Sequence, residues 1–439
     1  MRPELRLGAA AAVVALSLLT AGCGGRADTF KIGVIVDCQG IFAAYSEDSL
    51  AGASLPLLAR GGRLAGRKPS DGVEGARVAG RRIELHQGCG EVTYLTQLVE
   101  NARRLIEEEK VDVLVAPMLG QTEGVVLREL AHRYPKVAFV LANSTAQEPT
   151  LRDPAPNLFR FVADGAQASA GLGSYAYHDL GWRRAAVVLP DSLYSWPRAA
   201  GFVAEFCALG GQVERLPAPE YASASVLPRI GKDVDGVALF TEIFPDTLGF
   251  ATAFAKVQPD PPRHLLLGPA SFTFADPKVF VQGVAAFRNL VVGDSTQYVS
   301  ADPAWLAFAD AYGRHFPGLG RPSSPALYPL VLPFYTSVEA VLRTLGRAGT
   351  DGPAFMRALA ETRFDSPTGP VRLDRNRQAV VSSYLSRTEV SANGTHRFRT
   401  IRVVKDVEQT YGGYFSSSTP TPTVSRPGCH RATPPPWAS

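Results

Sequence analysis

The chain has 439 residues, 46% of them hydrophobic and 20% charged, with 45 Lys and Arg against 41 Asp and Glu. That length holds two or three domains, and the apolar share is that of a globular chain, which excludes a mainly disordered protein and a many-pass membrane protein. A formal net charge of +4, spread evenly along the chain, argues against nucleic acid as a partner.

The chain opens MRPELRLGAAAAVVALSLLTAGC, with Arg2 and Arg6 ahead of an uncharged apolar run at 7–20. This run is shorter than the ~20 residues that span a bilayer, so residues 1–22 read as a signal peptide and not as a permanent anchor. Ala21-Gly22-Cys23 resembles the lipobox of bacterial lipoproteins, which implies that Cys23 is acylated and becomes the mature N-terminus. Thr20 departs from that pattern, since Leu is commonest there, and an ordinary cleaved signal is the alternative. The other cysteines, Cys38, Cys89, Cys207 and Cys429, form an even set in an exported chain and allow three pairings. Cys38 and Cys89 each follow a predicted strand, and loops after neighbouring parallel strands emerge at one sheet edge. Cys38–Cys89 is therefore favoured, at about 4 kcal/mol in the loop-entropy account. Cys207–Cys429 follows by elimination and would staple the C-terminal tail. No two of these cysteines have CxxC spacing, so neither a metal site nor a cofactor is expected.

FKIGVIV at 30–36 is a continuous apolar run of the kind that forms a buried parallel strand. A helix at 45–59, a strand at 82–86, a helix at 96–109, a strand at 111–116, a helix at 121–134 and a strand at 136–142 follow. Within 96–109, Leu98, Ala102, Leu105 and Ile106 recur at helical spacing and give one core-facing side. The rhythm restarts with a helix at 166–180. Strands are expected at 184–190, 211–216, 235–240, 264–268 and 289–294, with helices at 197–209 and 246–257 between them. Helices at 303–316, 324–346 and 353–361 come next, then a hairpin of 370–374 and 380–386 around a turn at Asn376. Repeated βα units predict an α/β protein of two doubly wound lobes. Past residue 404 the composition turns to Pro, Ser and Thr. Residues 405–439 therefore read as a mobile tail, held only if Cys429 is bonded.

Several segments, placed on these elements, carry a resemblance. They are KIGVIVDCQGIFAAYSEDSLAGASL, ANSTAQEPTL, VVLPDSLYSWPRAAGF, LLLGPASF and FDSPTGPVRLDRNRQAV. In this order they resemble the type I periplasmic binding proteins of the branched-chain amino-acid ABC transporter family, over 29–404. The resemblance implies two lobes joined by three crossovers around a ligand cleft. Lobe one would be 29–160 with 294–365, and lobe two 161–293 with 366–404. The implied protein is a monomeric, lipid-anchored, exported carrier at the outer face of the cell membrane. It would close over a small polar solute (amino acid, carboxylate or amide) and deliver it to a membrane permease. A sensor that reports to a receptor and a degenerate scaffold are the alternatives.

The family's ligand contacts fall on Tyr45, on Gln121 and Thr122 at a helix start, and on Ser144 and Thr145 in lobe one. In lobe two they fall on Tyr194, Glu242 and Ser271. Each residue has a plainer role open to it: Ser144 and Thr145 as turn caps, Tyr45 as surface packing. Amino-acid binders of the family have Gly-Pro-Glu-Gly where this chain has Gly-Pro-Ala-Ser at 268–271, so the acid that meets the ligand's ammonium is missing. A buried ammonium without a counter-charge costs several kcal/mol. Either Glu242 takes over or the ligand has no ammonium, and the second is favoured. Tyr194, Phe244, Phe272 and Phe274 would suit an aromatic acid, although the three phenylalanines suit a core equally. An enzyme is not expected, because G-x-S-x-G, G-x-G-x-x-G and Walker A motifs are absent and the seven histidines are scattered singly.

Overall fold

In the computed structural model the described residues are 29–90, 95–119, 121–273, 285–296, 302–319, 328–350, 352–390 and 396–438. The apolar run at 30–36 becomes the middle of the first of two large sheets. The strands of this lobe are β1 (Thr29–Asp37), a separate hairpin of β2 (Arg63–Leu64) and β3 (Val73–Glu74), β4 (Arg77–Val78), β5 (Arg81–Gly90), β6 (Val113–Leu119), β7 (Ala138–Ser144) and β8 (Leu158–Phe159). The sheet order is β4-β5-β1-β6-β7-β8, parallel except for β4 at the edge.

Alternation along β1 explains why it is apolar throughout. Ile32, Val34 and Val36 join a cluster with Leu50 and Leu57 of α1 (Ser46–Leu58) and with Val338 and Leu342 of the helix Tyr328–Ala348. Ile35 turns the other way, to Leu98 of α2 (Leu95–Arg103) and Leu127 of α3 (Gln121–Arg133). A strand covered on both faces has no polar side to offer. Val36 stands opposite Cys89 across β1 and β5, so Cys38, two residues on, meets it, and the two are disulfide-bonded with Cα atoms 5.4 Å apart.

The second sheet holds β9 (Arg184–Pro190), β10 (Gln212–Ala218), β11 (Gly236–Leu239), β12 (Leu265–Leu267), β13 (Val291–Asp294), β14 (Phe364–Ser366), β15 (Gly369–Leu373), β16 (Ala379–Val390) and β17 (His396–Val407). Its order is β10-β9-β11-β12-β13-β16-β15-β14, with β17 also paired to β16. The chain passes from the first sheet to the second after β8. It returns after β13 to the helix Pro303–His315, and joins the second sheet again at β14.

Two expectations are corrected. The helix at 166–180 is broken into α5 (Gly165–Ala168), α6 (Leu172–Ser174) and a π turn at Tyr175–Asp179. The break is at Gly171, whose φ of +91° suits glycine, and a Cβ there would lie 2.6 Å from Val404. The buried Glu205 carboxylate accepts the N–H groups that the break frees, from Gly171 at 2.8 Å and Ser174 at 3.0 Å. Second, β17 has no counterpart among the predicted strands. Its inward residues Phe398, Ile401, Val404 and Val407 are three apart because its pairing with β16 slips at two irregularities, which hides the two-residue period.

The tail at 408–438 meets the condition set for it. Cys207 and Cys429 are disulfide-bonded, and Tyr411, Tyr414 and Phe415 share a buried cluster with Ala200, Ala204 and Ala208 of α7 (Ser195–Ala208). No described helix is long and apolar enough to cross a membrane. Cys23 and Phe274 lie outside the described residues.

Candidate functional site

Loops at the carboxyl ends of parallel strands meet where the two sheets face each other. A cavity of about 70 Å³ lies there, lined from lobe one by Asn143, Ser144, Thr145, Asp294 and Pro333, and from lobe two by Arg198, Pro269 and Ala270. The space between the facing lobes is narrow.

Ser144 ends β7, and its hydroxyl accepts the Ala146 N–H at 3.3 Å, which is the turn-capping role. Thr145, next along, is 6% exposed, and its hydroxyl has no hydrogen-bond partner among the described residues. An unpaired buried hydroxyl costs about 1–3 kcal/mol, and a guest with a polar atom would remove that cost.

Across the gap, Arg198 sits in the first turn of α7. A cation there works against the helix dipole, and its charge acts on the Glu242 carboxyl. Ala270 has φ +67°, and its N–H donates to Asp294 at 3.3 Å. The other Asp294 oxygen accepts the Thr296 N–H at 3.3 Å and the Ser295 hydroxyl at 3.5 Å. Asp294 thereby ties the Gly-Pro loop to the crossover that follows β13.

The other expected residues whose side chains are described lie outside this lining. Ser271 is fully buried and its hydroxyl donates to the Gly268 carbonyl at 2.8 Å, so it closes its own turn. Phe244 and Phe272 are core, their rings 5.9 Å apart and both against Phe287. Tyr45 packs beside Phe42 and Leu330. Tyr194 precedes α7 and its N–H reaches the Ser192 hydroxyl at 3.3 Å. Gln121 and Thr122 are the first residues of α3, and their side chains fall outside the described atoms.

Glu242 accepts from Ser192 and, at 3.1 Å, from Ser195. Burial pushes its carboxyl above the ordinary value, with Arg198 and Ser195 pulling the other way. Sequence reading missed Arg198 and Asp294. The legible signals were an Arg opening a helix in YSWPRAAGF and an acid ending the apolar strand NLVVGD.

Behind the cavity the crossovers close over Arg160, which is fully buried. Its guanidinium donates to the Ser144 carbonyl at 3.2 Å, the Thr150 hydroxyl at 2.7 Å, the Ala146 carbonyl at 2.5 Å and the Gln378 amide oxygen at 2.5 Å. Asp164 is 3.8 Å away. Burial pulls Arg160 down to about 10, and Asp164 opposes this.

The fold is that of a two-lobe α/β periplasmic binding protein. The model of the periplasmic binding protein family matches residues 29–395, and the chain belongs to that family. Its family and fold are those of solute-binding proteins and not of enzymes. Among solved structures, an ABC transporter substrate-binding protein from Sphaerobacter thermophilus is 22% identical with a TM-score of 0.72, covering 87% of this chain and 99% of that one. A solute binding protein from Rhodopseudomonas palustris BisB5, in complex with 3,4-dihydroxy benzoic acid, is 22% identical with a TM-score of 0.69, covering 87% and 98%. A leucine binding protein from Thermotoga maritima is 20% identical with a TM-score of 0.66, covering 86% and 99%. A search of curated proteins gives no significant match.

Proposed function

We propose that this chain is the extracytoplasmic solute-binding component of an ABC importer, and that it closes on a small carboxylate that carries no ammonium group. Lobe one is taken as 29–160 with 294–365 and lobe two as 161–293 with 366–404. Cys23 is its lipid anchor and a membrane permease its partner. The carrying observation is the unpaired, buried Thr145 hydroxyl, which lines a cavity whose opposite wall holds Arg198 and the methyl of Ala270. Arg198 pairs with the carboxylate, Thr145 adds a hydrogen bond, and the ligand bridges the lobes so that binding energy selects the closed state. Relatives of the same fold that hold benzoates support this ligand class.

A second reading rests on Asp294, which would supply the counter-charge that Ala270 lacks. Its two oxygens already accept three donors, which favours the first. Thermal unfolding against a panel decides between them. Benzoate, 4-hydroxybenzoate and short aliphatic carboxylates are set against leucine, isoleucine and valine, all at one common concentration, where a compound present at a hundred times its dissociation constant adds about 2.7 kcal/mol of stability. The largest shifts are expected from the compounds without an ammonium. A larger shift with leucine, abolished by Asp294→Asn, would establish the second reading.

A further inference from the structure

The C-terminal tail lies beyond residue 395, where the family match ends, and it touches both lobes. On lobe two it is fixed three times over. Cys429 is bonded to Cys207 on α7, Arg215 of β10 donates to the carbonyls of Val424 and Pro427, and the Tyr411 hydroxyl donates to the Ala166 carbonyl. On lobe one it holds the connection between β7 and β8. Arg152 donates from Nε to the Thr419 carbonyl at 2.7 Å and from Nη2 to the Pro420 carbonyl at 3.2 Å. Arg152 is anchored in its own lobe, through Glu148 at 2.9 Å and through its carbonyl, which accepts from Arg128 of α3. Gln409, fully buried, donates to the Thr150 hydroxyl at 3.0 Å and to the Gln147 carbonyl at 3.3 Å. The connection that the tail holds begins at Ser144 and Thr145, the lobe-one wall of the cavity.

We infer that this tail is a strap across the hinge that biases the lobes toward the closed arrangement before any ligand arrives. The 147–152 connection flanks the hinge, where Thr150 meets Gln378, so opening the cleft would turn it against the bed of the tail on α7. That movement must either break the Arg152 and Gln409 bonds or strip the tail from its bed on α7, which the disulfide resists. A shift of the ligand-free population toward closure raises apparent affinity by the fraction already competent. The inference rests on the two-lobe closing reading and is independent of which solute binds.

The test is small-angle X-ray scattering on the ligand-free protein, as wild type, as Arg152→Gln, as the Cys207→Ala, Cys429→Ala pair, and as the combination. Circular dichroism confirms that each is folded. The radius of gyration is expected to rise in Arg152→Gln and to rise most in the combined protein. Affinity for the best compound of the carboxylate panel should weaken by about tenfold. A folded Arg152→Gln protein with the wild-type radius overturns the strap. Arg152→Gln leaves the disulfide and the lobe-two bed intact, so this single variant is decisive even if the cysteine pair fails to fold. The scattering arm needs no ligand, so its outcome is separate from the success or failure of the panel.

Discussion

The cavity and the hinge behind it are built from the same short stretch of chain, yet they treat polar atoms in opposite ways. At the hinge, Arg160 is fully buried and its guanidinium is engaged by backbone carbonyls, Thr150 and Gln378. At the cavity, the Thr145 hydroxyl is sheltered too, but it is bonded to none of the described residues. Satisfied buried networks hold structure, and an unsatisfied group at a lobe boundary waits for a partner. Charge in the hinge is satisfied within the fold, while the binding role proposed for Arg198 and Thr145 in the cavity is what the following variants test.

The largest effect expected from that contrast is at Arg160. Arg160→Met strips the crossovers of their shared donor and leaves Asp164 buried without its cation, so chemical denaturation should show a loss of about 3–5 kcal/mol. A loss below about 1 kcal/mol would break the contrast from the hinge side. Next is Arg198→Gln. It should cost the empty protein only about 1 kcal/mol, since Glu242 loses a nearby cation, but weaken carboxylate binding by about a hundredfold, read by calorimetry. An equal fall in both quantities would make Arg198 a structural residue.

Glu339 sharpens the comparison, because it is a buried ion pair inside lobe one and away from the cavity. It takes Arg60 at 2.8 and 3.0 Å and Arg343 at 2.6 Å. Burial alone would raise its carboxyl, but the two arginines outweigh burial and hold it below the ordinary 4.5. A folded value below the unfolded one means that the stabilisation is present above about pH 4.5 and is lost as pH falls through the folded value. Glu339→Gln should cost about 2 kcal/mol at neutral pH, and the gap from wild type should close in acid, as urea midpoints at stepped pH would show. The smallest expected change is at Thr145. Thr145→Val removes an unpaired hydroxyl, so stability should hold or rise by up to about 1 kcal/mol, while binding weakens by about tenfold.

The frame of this protein was legible because continuous apolar runs such as 30–36 and 184–190 have one good use, a strand covered on both faces. The Cys38–Cys89 bond was legible for a related reason, since it follows from register in a parallel sheet. The break at Gly171 was not, because what stabilises it comes from afar: Glu205 capping the freed donors and Val404 crowding the glycine. β17 was hidden by its slipped pairing, and the tail by a composition that says nothing of the bed it lies on. In the site, Ser144 and Thr145 came from the family pattern, and the structure sets both in the cavity wall. Ser271 and the phenylalanines were placed by that pattern too, but side-chain direction after a loop is decided by packing. Arg198 and Asp294 needed the second lobe folded against the first before they shared a cavity.

The most direct test of the account is a crystal structure of the protein grown with the compound that gives the largest thermal shift in the carboxylate panel. The account predicts closed lobes with the bound carboxylate against the Arg198 guanidinium and a hydrogen bond from the Thr145 hydroxyl. Density for the compound outside this cavity, or between the lobes with Arg198 turned away and Thr145 still unbonded, would contradict it.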